Sequence, residues 1–458
     1  MMNLPRYLLI LLLLMAGHTP ATAQETAAAE PLTLSTAARI ALNKNPRVQV
    51  AAHDLHAAQA QVKQARAMFL PRVDFRETFT NGNNPVYVFG TLLGQKTFSE
   101  MNFSIPSLNE PDPLNNFKSE VTLYQSIWEG GKIRAQNRIA NLNEQIQVQE
   151  QELTRQQVIF DVVRHYYAVQ LSRQRTATAE AALHSAEANA KRIQDLLDNG
   201  LVVKSDLLRI QVFQAEMQQA LFEAENQLQL SRAALDADLG RDYHAYTTYE
   251  LATPLEKIQV SLPDERSLLD QALQNRPEVL TLRSAITIAE NQVRHAQGDY
   301  LPGVGFFSTL EYNVGTQADA RGGNYLLGVQ LRWNIFDGFA KGARVAENRS
   351  RQYGLEMKLD HLTDMISLQI KDNYLRMRTA HQQYEVAAAA VSQAEEALRI
   401  TRDRYESGLA TLTDLLASET ALTGARTRLS QAQYQYNVAY ANLELSAGTL
   451  TLNSPLFQ

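Results

Sequence analysis

Two arrangements of residues have types and spacings that could support chemistry, and neither is complete. His53 and His56 share one helix face, as two metal ligands would, but no third ligand accompanies them. A solvated helix face is therefore the better interpretation. Gly303 and Gly305 form a lone Gly-x-Gly at a strand start, which favours a bend into a sheet over a phosphate cradle. With no nucleophile elbow or paired carboxylates, the sequence predicts no enzyme, no cofactor and no metal site.

A third arrangement occurs twice. Gly200-Leu201 precedes Asp206-Leu207-Leu208, and Gly408-Leu409 precedes Asp414-Leu415-Leu416, at an offset of 408 − 200 = 208 positions. A glycine after a long helical run ends the helix, and the helix dipole favours a carboxylate in the first turn of the next one. The motif predicts two tight turns between helices.

These turns belong to a larger duplication. Pro46 matches Pro277, and Phe69-Leu70-Pro71 matches Tyr300-Leu301-Pro302, at an offset of 277 − 46 = 231 positions. The offset then falls to 208, so the second copy is shorter by 231 − 208 = 23 residues, lost between Pro302 and Ile335. One unit has been duplicated, and a loop within it varies in length.

Composition narrows the possibilities further. Arg6, an apolar run from Leu8 to Ala16 and small residues before Gln24 predict a signal peptide at 1–23. The chain has no cysteine and a net charge of −6, which argue against disulfides and nucleic-acid binding. No later segment has the roughly 18 consecutive apolar residues of a membrane helix. An exported chain of this kind either stays outside the lipid or crosses it as β-structure.

Most of the sequence has helical periodicity. Residues 132–199 contain neither Gly nor Pro, and at about 1.5 Å per residue they would form a helix roughly 100 Å long. Their apolar residues recur at spacings of three and four, which predicts a coiled-coil-like seam and not a thick core face. A second run, 205–239 with Ser205 as its N-cap, completes a helical hairpin.

The second copy repeats this hairpin in residues 339–407 and 412–447. A shorter helix precedes each hairpin. Pro46 and Pro277 are suited to the first helical positions of these two shorter helices.

Between the shorter helices and the hairpins the apolar period changes from 3.6 to 2. Four segments alternate in this way: 72–80, 117–127, 304–314 and 325–335. Each has about the 9–11 residues that a tilted strand needs to cross a bilayer, with one apolar and one polar face. Trp128 and Trp333 fall at corresponding ends, where an aromatic girdle would lie. Two hairpins packed on a water-exposed domain would alternate similarly, but the helical runs offer them little core.

Four strands are too few to close a barrel, since the smallest contain about 8. An open sheet edge in lipid leaves backbone groups unsatisfied at several kcal/mol each. Transmembrane strands of this number must therefore come from several chains.

The segment 81–116 joins the first two strands and accounts for the length difference between the copies. It carries an apolar patch at Val86 to Phe89 and at Leu92-Leu93. In an outer-membrane barrel long loops face the outside. The patch either plugs the mouth or packs on the rim, and we expect packing on the rim.

Taken together, these features resemble the TolC family of outer-membrane efflux channels, from about Leu32 to Leu450. The resemblance rests on the duplication, the strand hairpins, the Trp-Glu-Gly-Gly and Phe-Asp-Gly motifs before the long helices, and the twin turns. It implies a mainly α fold with a β-barrel contribution. In a homotrimer, long helical hairpins would form a periplasmic tunnel, and four strands per chain would form a shared 12-stranded transmembrane barrel.

The resemblance also implies a division of the chain. After the signal peptide, repeat 1 would span 32–240, with a strand hairpin at 72–127 and a helical hairpin at 131–239. An equatorial segment at 241–262 would separate it from the second repeat. Repeat 2 would span 263–450, with corresponding hairpins at 303–336 and 339–447.

For the tip, the resemblance implies that Gly200, Leu201, Gly408 and Leu409 contact an adaptor protein. Asp414 matches an acidic ring that would favour cations. A plain helix N-terminal carboxylate is the alternative for Asp414 and for Asp206. Tyr405 matches a tyrosine that bonds across to the carboxylate at the position of Asp206.

Two tip positions depart from the relatives. Ala410 stands where some carry a locking arginine, and Ala417 where a second acidic ring occurs. We therefore expect other contacts to hold the closed tip of this chain.

The predicted function is a passive exit duct in the outer membrane, extending into the periplasm and contacting outer-membrane lipid. It would serve a tripartite efflux or type I secretion system with a periplasmic adaptor and an inner-membrane pump, and would be gated at the tip. The alternative is a non-channel coiled-coil interaction protein of the periplasm or cell surface.

Overall fold

The computed structural model describes residues 31–241, 249–260 and 263–457. The predicted signal peptide at 1–23 lies outside these residues, as do parts of the predicted equatorial segment 241–262. The helices are α1 (Leu34–Lys44), α2 (Pro46–Ala67), α3 (Pro85–Gly94), α4 (Ile105–Asn109), α5 (Lys132–Asp198), α6 (Lys204–Asp238), α7 (Glu265–Asn275), α8 (Pro277–Gln297), α9 (Ala340–Glu406) and α10 (Leu412–Ser446). The strands are β1 (Arg72–Gly82), β2 (Leu114–Glu129), β3 (Gly303–Val314) and β4 (Arg321–Arg332).

The long helical hairpins α5–α6 and α9–α10 are confirmed. Pro46 and Pro277 occupy the first turns of α2 and α8, as their fixed φ favours. Ser205 is not an N-cap, because α6 begins at Lys204 and its N-cap residue is Val203. Helices α1 and α7, which precede α2 and α8, were not predicted. Asn45 and Arg276 separate them from the following prolines, and extended backbone is required before a proline.

The four strands form one antiparallel sheet in the order β1-β2-β3-β4. The pairing of β2 with β3, which places Phe117 opposite Val314, joins the strand hairpins of the two repeats. Strands β1 and β4 are the edges, and neither has a second partner strand within the described residues.

The two faces of the sheet differ broadly as predicted. On the polar face the Lys118 Nζ lies 2.9 Å from Glu120 and 2.8 Å from Glu311. On the apolar face Phe79 packs against Phe117, but Glu77 also lies on this face and accepts a 2.5 Å hydrogen bond from the Ser119 hydroxyl. The expectation of a wholly apolar face thus overlooked one carboxylate.

Gly303 and Gly305 are the first and third residues of β3, and the bend expected there stays a prediction. A Cβ at Gly305 would lie 2.8 Å from the Tyr124 hydroxyl oxygen, and one at Gly303 would lie 2.9 Å from a Glu129 carboxylate oxygen. The two glycines therefore make room for cross-strand side chains on the polar face. The irregularity lies in β2, whose register shifts between Ser126 and Trp128.

A thick core surrounds the middle of α5, contrary to the expected thin seam. Helices α1 and α7, the segment 249–260 and the residues after α10 pack there against the long helices. The buried Tyr166 hydroxyl donates a 2.7 Å hydrogen bond to the Leu32 carbonyl and accepts one of 2.9 Å from the Thr253 backbone N–H. Leu32 and Leu251 form a parallel bridge beside it.

Away from this waist the long helices form a single wall. In the half that leads to the turns at Gly200 and Gly408, α5 lies between α6 and α10, and α10 lies between α5 and α9. Helices α6 and α9 are therefore the edges of the wall in this half. No helix among the described residues is both long enough and apolar enough to cross a membrane.

The segment between β1 and β2 is folded. Helix α3, a 3₁₀ turn at Glu100–Phe103 and α4 fill most of it. Helix α3 lies over the polar face of the sheet, where Gln95 donates hydrogen bonds to the Asn115 carbonyl (2.9 Å) and to Asn116 Oδ1 (3.0 Å). These contacts lie near one end of the sheet, and the choice between the rim and the mouth stays a prediction.

Candidate functional site

The twin turns lie at the far end of the two helical hairpins and have the same backbone geometry. Gly200 has φ +74° and Gly408 φ +71°, the left-handed conformation that glycine adopts without strain. The following residues donate hydrogen bonds back into the helices, from Leu201 to the Leu196 carbonyl and from Leu409 to the Arg404 carbonyl. These bonds satisfy carbonyls that a helix end otherwise leaves unpaired.

The leucines at the two turns are strongly exposed. Leu201 is 71% accessible and Leu409 is 70% accessible. Added Cβ atoms at Gly200 and Gly408 would meet nothing within 4 Å. The tip therefore presents two apolar side chains on open, tightly turned backbone, which is suitable for contact with another protein.

The carboxylate of Asp414 belongs to a capping box. Its Oδ2 accepts hydrogen bonds from the Thr411 backbone N–H (2.9 Å) and hydroxyl (2.7 Å), while the Thr411 hydroxyl accepts from the Asp414 N–H (3.2 Å). The backbone bond, followed by the hydroxyl bond, lowers the pKa of Asp414, so the exposed side chain is ionised at neutral pH. The structure thus shows the N-terminal carboxylate role. The ring role concerns several copies and stays a prediction.

Asp206 occupies the equivalent position without this cap. Its counterpart to Thr411 is Val203, which has no hydroxyl and makes no capping bond. Asp206 is half-buried in the first turn of α6, and among the described residues no donor is seen within hydrogen-bond distance of its carboxylate. Its carboxylate is therefore available to other partners.

Tyr405 lies half-buried between two small apolar clusters at the tip. One cluster contains Ile193 and Ile210 of the first hairpin, and the other is built around Leu415 of the second. Burial is the main cause that raises the Tyr405 pKa; Arg192 opposes the shift and Asp206 adds to it. No hydrogen bond from Tyr405 to Asp206 is seen within the described chain, so that contact stays a prediction.

Polar contacts between the hairpins surround Tyr405. Arg192 of α5 lies 2.9 Å from Glu406 of α9, and Arg209 of α6 donates a 2.6 Å hydrogen bond to the Thr413 hydroxyl of α10. Both pairs are exposed, so each contributes on the order of 0–1 kcal/mol. They cross-link the two hairpins at the tip.

A buried carboxylate lies just above these contacts and was missed by the sequence reasoning. Glu419 of α10 is 7% accessible and accepts hydrogen bonds from the Ser185 hydroxyl (2.8 Å) and from Asn189 Nδ2 (3.0 Å) of α5. Arg402 of α9 lies 3.6 Å away. The available signal was the stripe Leu412, Leu415, Leu416, Glu419 and Leu422, in which one acidic residue occupies an apolar position.

A second charged group lies where the sheet meets the long helices. Asp299, at the end of α8, lies 3.3 Å from Lys132 of α5 and 2.5 Å from Arg344 of α9. Burial opposes ionisation of Asp299, but the hydrogen bonds from Arg344 and Lys132 outweigh it and lower the pKa. These residues line a polar cavity of about 360 Å³ and join the two repeats at the base of the sheet.

The remaining predicted residues also have defined places. Trp128 lies at the end of β2 and Trp333 just beyond β4, both half-exposed, and the indole N–H of Trp333 donates to the Tyr300 carbonyl. They lie at the same end of the sheet, but the aromatic girdle stays a prediction. His53 and His56 are exposed on α2, and no group of three metal-ligating side chains occurs among the described residues.

Comparison with known proteins extends this description. The chain is 22% identical over 423 residues to the alkaline protease secretion protein AprF of Pseudomonas aeruginosa, covering 90% of this chain and 83% of that protein. It is 21% identical over 427 residues to the outer membrane protein TolC of Escherichia coli, covering 89% and 80%. Among solved structures, the CmeC outer membrane channel of Campylobacter jejuni matches with a TM-score of 0.74 at 17% identity, covering 92% of this chain and 87% of that one.

A family model described as "outer membrane efflux protein" matches residues 37–241 and 268–449, which together make up most of the chain. This match rules out the coiled-coil interaction protein that was the alternative. The chain belongs to the outer membrane efflux protein family, whose members are channels of the outer membrane and not enzymes.

Proposed function

We propose that three copies of this chain form one exit duct, gated at the tip of its helical hairpins. The observation that carries the proposal is the four-stranded sheet, whose edge strands β1 and β4 have no second partner strand in the part of the chain that the structure describes. Unpaired backbone groups in lipid cost several kcal/mol each, and pairing β4 of one copy with β1 of the next removes that cost. Three copies would close a twelve-stranded barrel, in keeping with the trimeric architecture of TolC-like channels.

The helical wall supports the same assembly. Edge helix α6 exposes Leu208 and Val212 by 53% and 60%, and edge helix α9 exposes Val386 and Ile400 by 70% and 46% in the same half of the wall. These residues lie on a wall whose inner helices are well buried. A neighbouring copy would cover them by placing its α9 against α6 and so continue the wall into a closed tunnel.

The duct would work without an energy source of its own. TolC-like channels operate within tripartite efflux or secretion systems. We assign delivery of the cargo to an inner-membrane pump, and docking at Leu201 and Leu409 to a periplasmic adaptor, because these exposed side chains lie at the end of the tunnel farthest from the sheet. Opening would separate the tip contacts around Tyr405 and Glu419.

The assembly is tested by fractionation and gel migration. The full-length protein should appear in the outer membrane and migrate as a trimer that becomes monomeric only after heating in detergent. A folded, monomeric protein that remains in solution without detergent would rule out the shared barrel.

The charge ring is tested at Asp414. Three Asp414 carboxylates around a narrow axis would attract cations, so Asp414→Ala should weaken cation preference in planar-bilayer recordings. Asp414→Asn is the matched variant, because its amide oxygen can still accept the capping bonds but carries no charge. If Asp414→Asn keeps the cation preference of the native channel, the ring role is wrong.

A further inference from the structure

The segment between β1 and β2 carries an apolar helix face that is exposed over most of its length. Val86, Phe89, Gly90 and Leu93 follow the i, i+3, i+4, i+7 spacing of one side of a helix, and all four are exposed on α3. We refer to these four residues as the α3 stripe. The opposite side of α3, which includes Val88 and Thr91, is buried. An amphipathic helix ordinarily turns its apolar side inward, so the outward stripe needs an explanation.

The buried side of α3 lies on the polar face of the sheet. A Cβ at Gly94 would lie 3.3 Å from the Asn313 side chain, and one at Gly322 would lie 2.2 Å from the Gly94 carbonyl oxygen. Asn313 and Gly322 form a cross-strand pair next to Lys118. Glycine is required at Gly322 because the helix and sheet backbones approach so closely there.

Polar bonds hold α3 in this position. Besides the bonds from Gln95, the Asn116 amide donates a 2.8 Å hydrogen bond to Asn313, which links the helix end to β2 and β3. The Tyr87 hydroxyl lies 3.0 Å from the Thr80 carbonyl and 3.2 Å from the Leu114 carbonyl. Phe89 also makes an edge contact with Phe98 at 5.1 Å between ring centroids. The orientation of the α3 stripe is therefore defined by the fold.

In a transmembrane barrel the apolar face of the sheet meets lipid and the polar face encloses the lumen. Helix α3 lies over the polar face, and Val86, Gly90 and Leu93 border a cavity of about 660 Å³ along that face, so the stripe borders the lumen. We propose that the occupant of the α3 stripe is the same stripe of the other two copies, so that three α3 helices form an apolar collar at the mouth of the barrel, at the opposite end of the duct from the tip.

An apolar constriction resists the passage of ions because water leaves it readily. The collar would therefore be a second barrier, and it would hinder hydrated ions more than cargo with apolar groups. This inference rests on the proposed trimer, but it concerns a different end of the molecule from the tip gate.

Cross-linking tests the geometry directly. The native chain has no cysteine, and a Cβ at Gly90 would meet nothing within 4 Å, so Gly90→Cys introduces a single thiol without a clash. In the purified trimer, oxidation or a short bis-maleimide should link two copies. The control is Val329→Cys on the apolar face of β4, where the barrel wall separates the copies and no cross-link should form.

Full labelling of Gly90→Cys by a bulky polymer maleimide, with no cross-linking, would place the α3 stripe in open contact with the outside or with an external partner. That result would overturn the collar. If no heat-modifiable trimer forms at all, the result contradicts the proposed trimeric duct itself. If a normal trimer forms without cross-links, the result contradicts only the collar.

Conductance gives a second test. The triple variant Val86→Ser, Phe89→Ser, Leu93→Ser should raise single-channel conductance by about twofold or more, because a polar collar stays wet. The matched control is Met101→Ser, Ile105→Ser, which alters two exposed apolar side chains of the same segment outside the stripe. Unchanged conductance in the triple variant, or an equal rise in the control, would contradict the assignment to the α3 stripe.

Discussion

Helices α6 and α10 are equivalent in the duplicated sequence and differ in their surroundings. Each spans 35 residues and follows the same Gly-Leu turn. Leu416 of α10 is 8% accessible, whereas its counterpart Leu208 of α6 is 53% accessible. Glu419 is buried among three helices, and its counterpart Gln211 is exposed. Helix α10 lies inside the wall of one chain and α6 lies at its edge, so the duplicated sequence is buried in one copy and exposed in the other.

The largest expected effect tests this difference in packing. Leu416→Ala removes a buried side chain from the protomer and should cost about 2–5 kcal/mol of unfolding free energy. Leu208→Ala should leave the protomer's own packing intact and instead lower the temperature at which the trimer dissociates in detergent. Circular dichroism melts and heated gels separate the two effects. Equal losses of protomer stability in both variants would mean that α6 is not an edge helix.

The next effect concerns the buried carboxylate at the tip. Glu419→Ala leaves Ser185 and Asn189 without their acceptor, and an unsatisfied buried polar group costs about 1–3 kcal/mol. The contact between α5 and α10 should weaken, and channel conductance should rise. Gln211→Ala is the matched control at the equivalent exposed position. Equal conductance of the two variants would show that Glu419 does not hold the tip closed.

A smaller effect comes from exchanging the caps of the two turns. Thr411→Val places in the second turn the valine that the first turn has at Val203. The loss of the capping hydroxyl should destabilise the start of α10 by about 1 kcal/mol. Val203→Thr should do the opposite for α6, because Asp206 is then placed to complete a capping box. Hydrogen exchange at the first turns of α6 and α10 measures both changes. Thr411→Val should lower the protection of α10 and Val203→Thr should raise that of α6. If the two changes do not have opposite signs, the cap does not account for the difference between the turns.

The smallest effect is a pH dependence at the same cap. The pKa of Asp414 is lower in the folded protein than its ordinary value of about 3.9. Its contribution to stability is therefore present above that ordinary value and is lost as pH falls through the lowered pKa of the folded state. Protection of the first turn of α10 should stay constant from neutral pH down to about 4 and decrease below it. Thr411→Val should reduce this dependence of protection on pH, because it removes the hydroxyl that bonds to the Asp414 carboxylate.

Much of this architecture followed from local pattern. The absence of Gly and Pro between Lys132 and Asn199 predicted one very long helix, and strict alternation predicted the strands within a few residues of their observed bounds. Trp128 was placed correctly at a strand end. These features depend on backbone sterics and on the period of apolar side chains, both of which act over neighbouring residues. The TolC-like family assignment was also reached from motifs alone.

Other features were decided by contacts between distant segments. Burial of Glu419 depends on Ser185 and Asn189, which lie more than two hundred positions away. The position of α3 depends on the close approach of Gly94 to Gly322 on β4. Asp206 has no capping partner because Val203 stands at the position of Thr411. The valine is visible in the sequence, but its effect is recognised only by comparison with the Thr411 cap in the structure.

The sequence by itself determined which residues form helices and strands and that the unit is duplicated, because propensity, periodicity and turn chemistry are local. Only the tertiary structure decided which of two equivalent helices is buried, which face of the sheet α3 covers and which carboxylate is capped. Those outcomes depend on packing between segments far apart in the chain, and no local period encodes it.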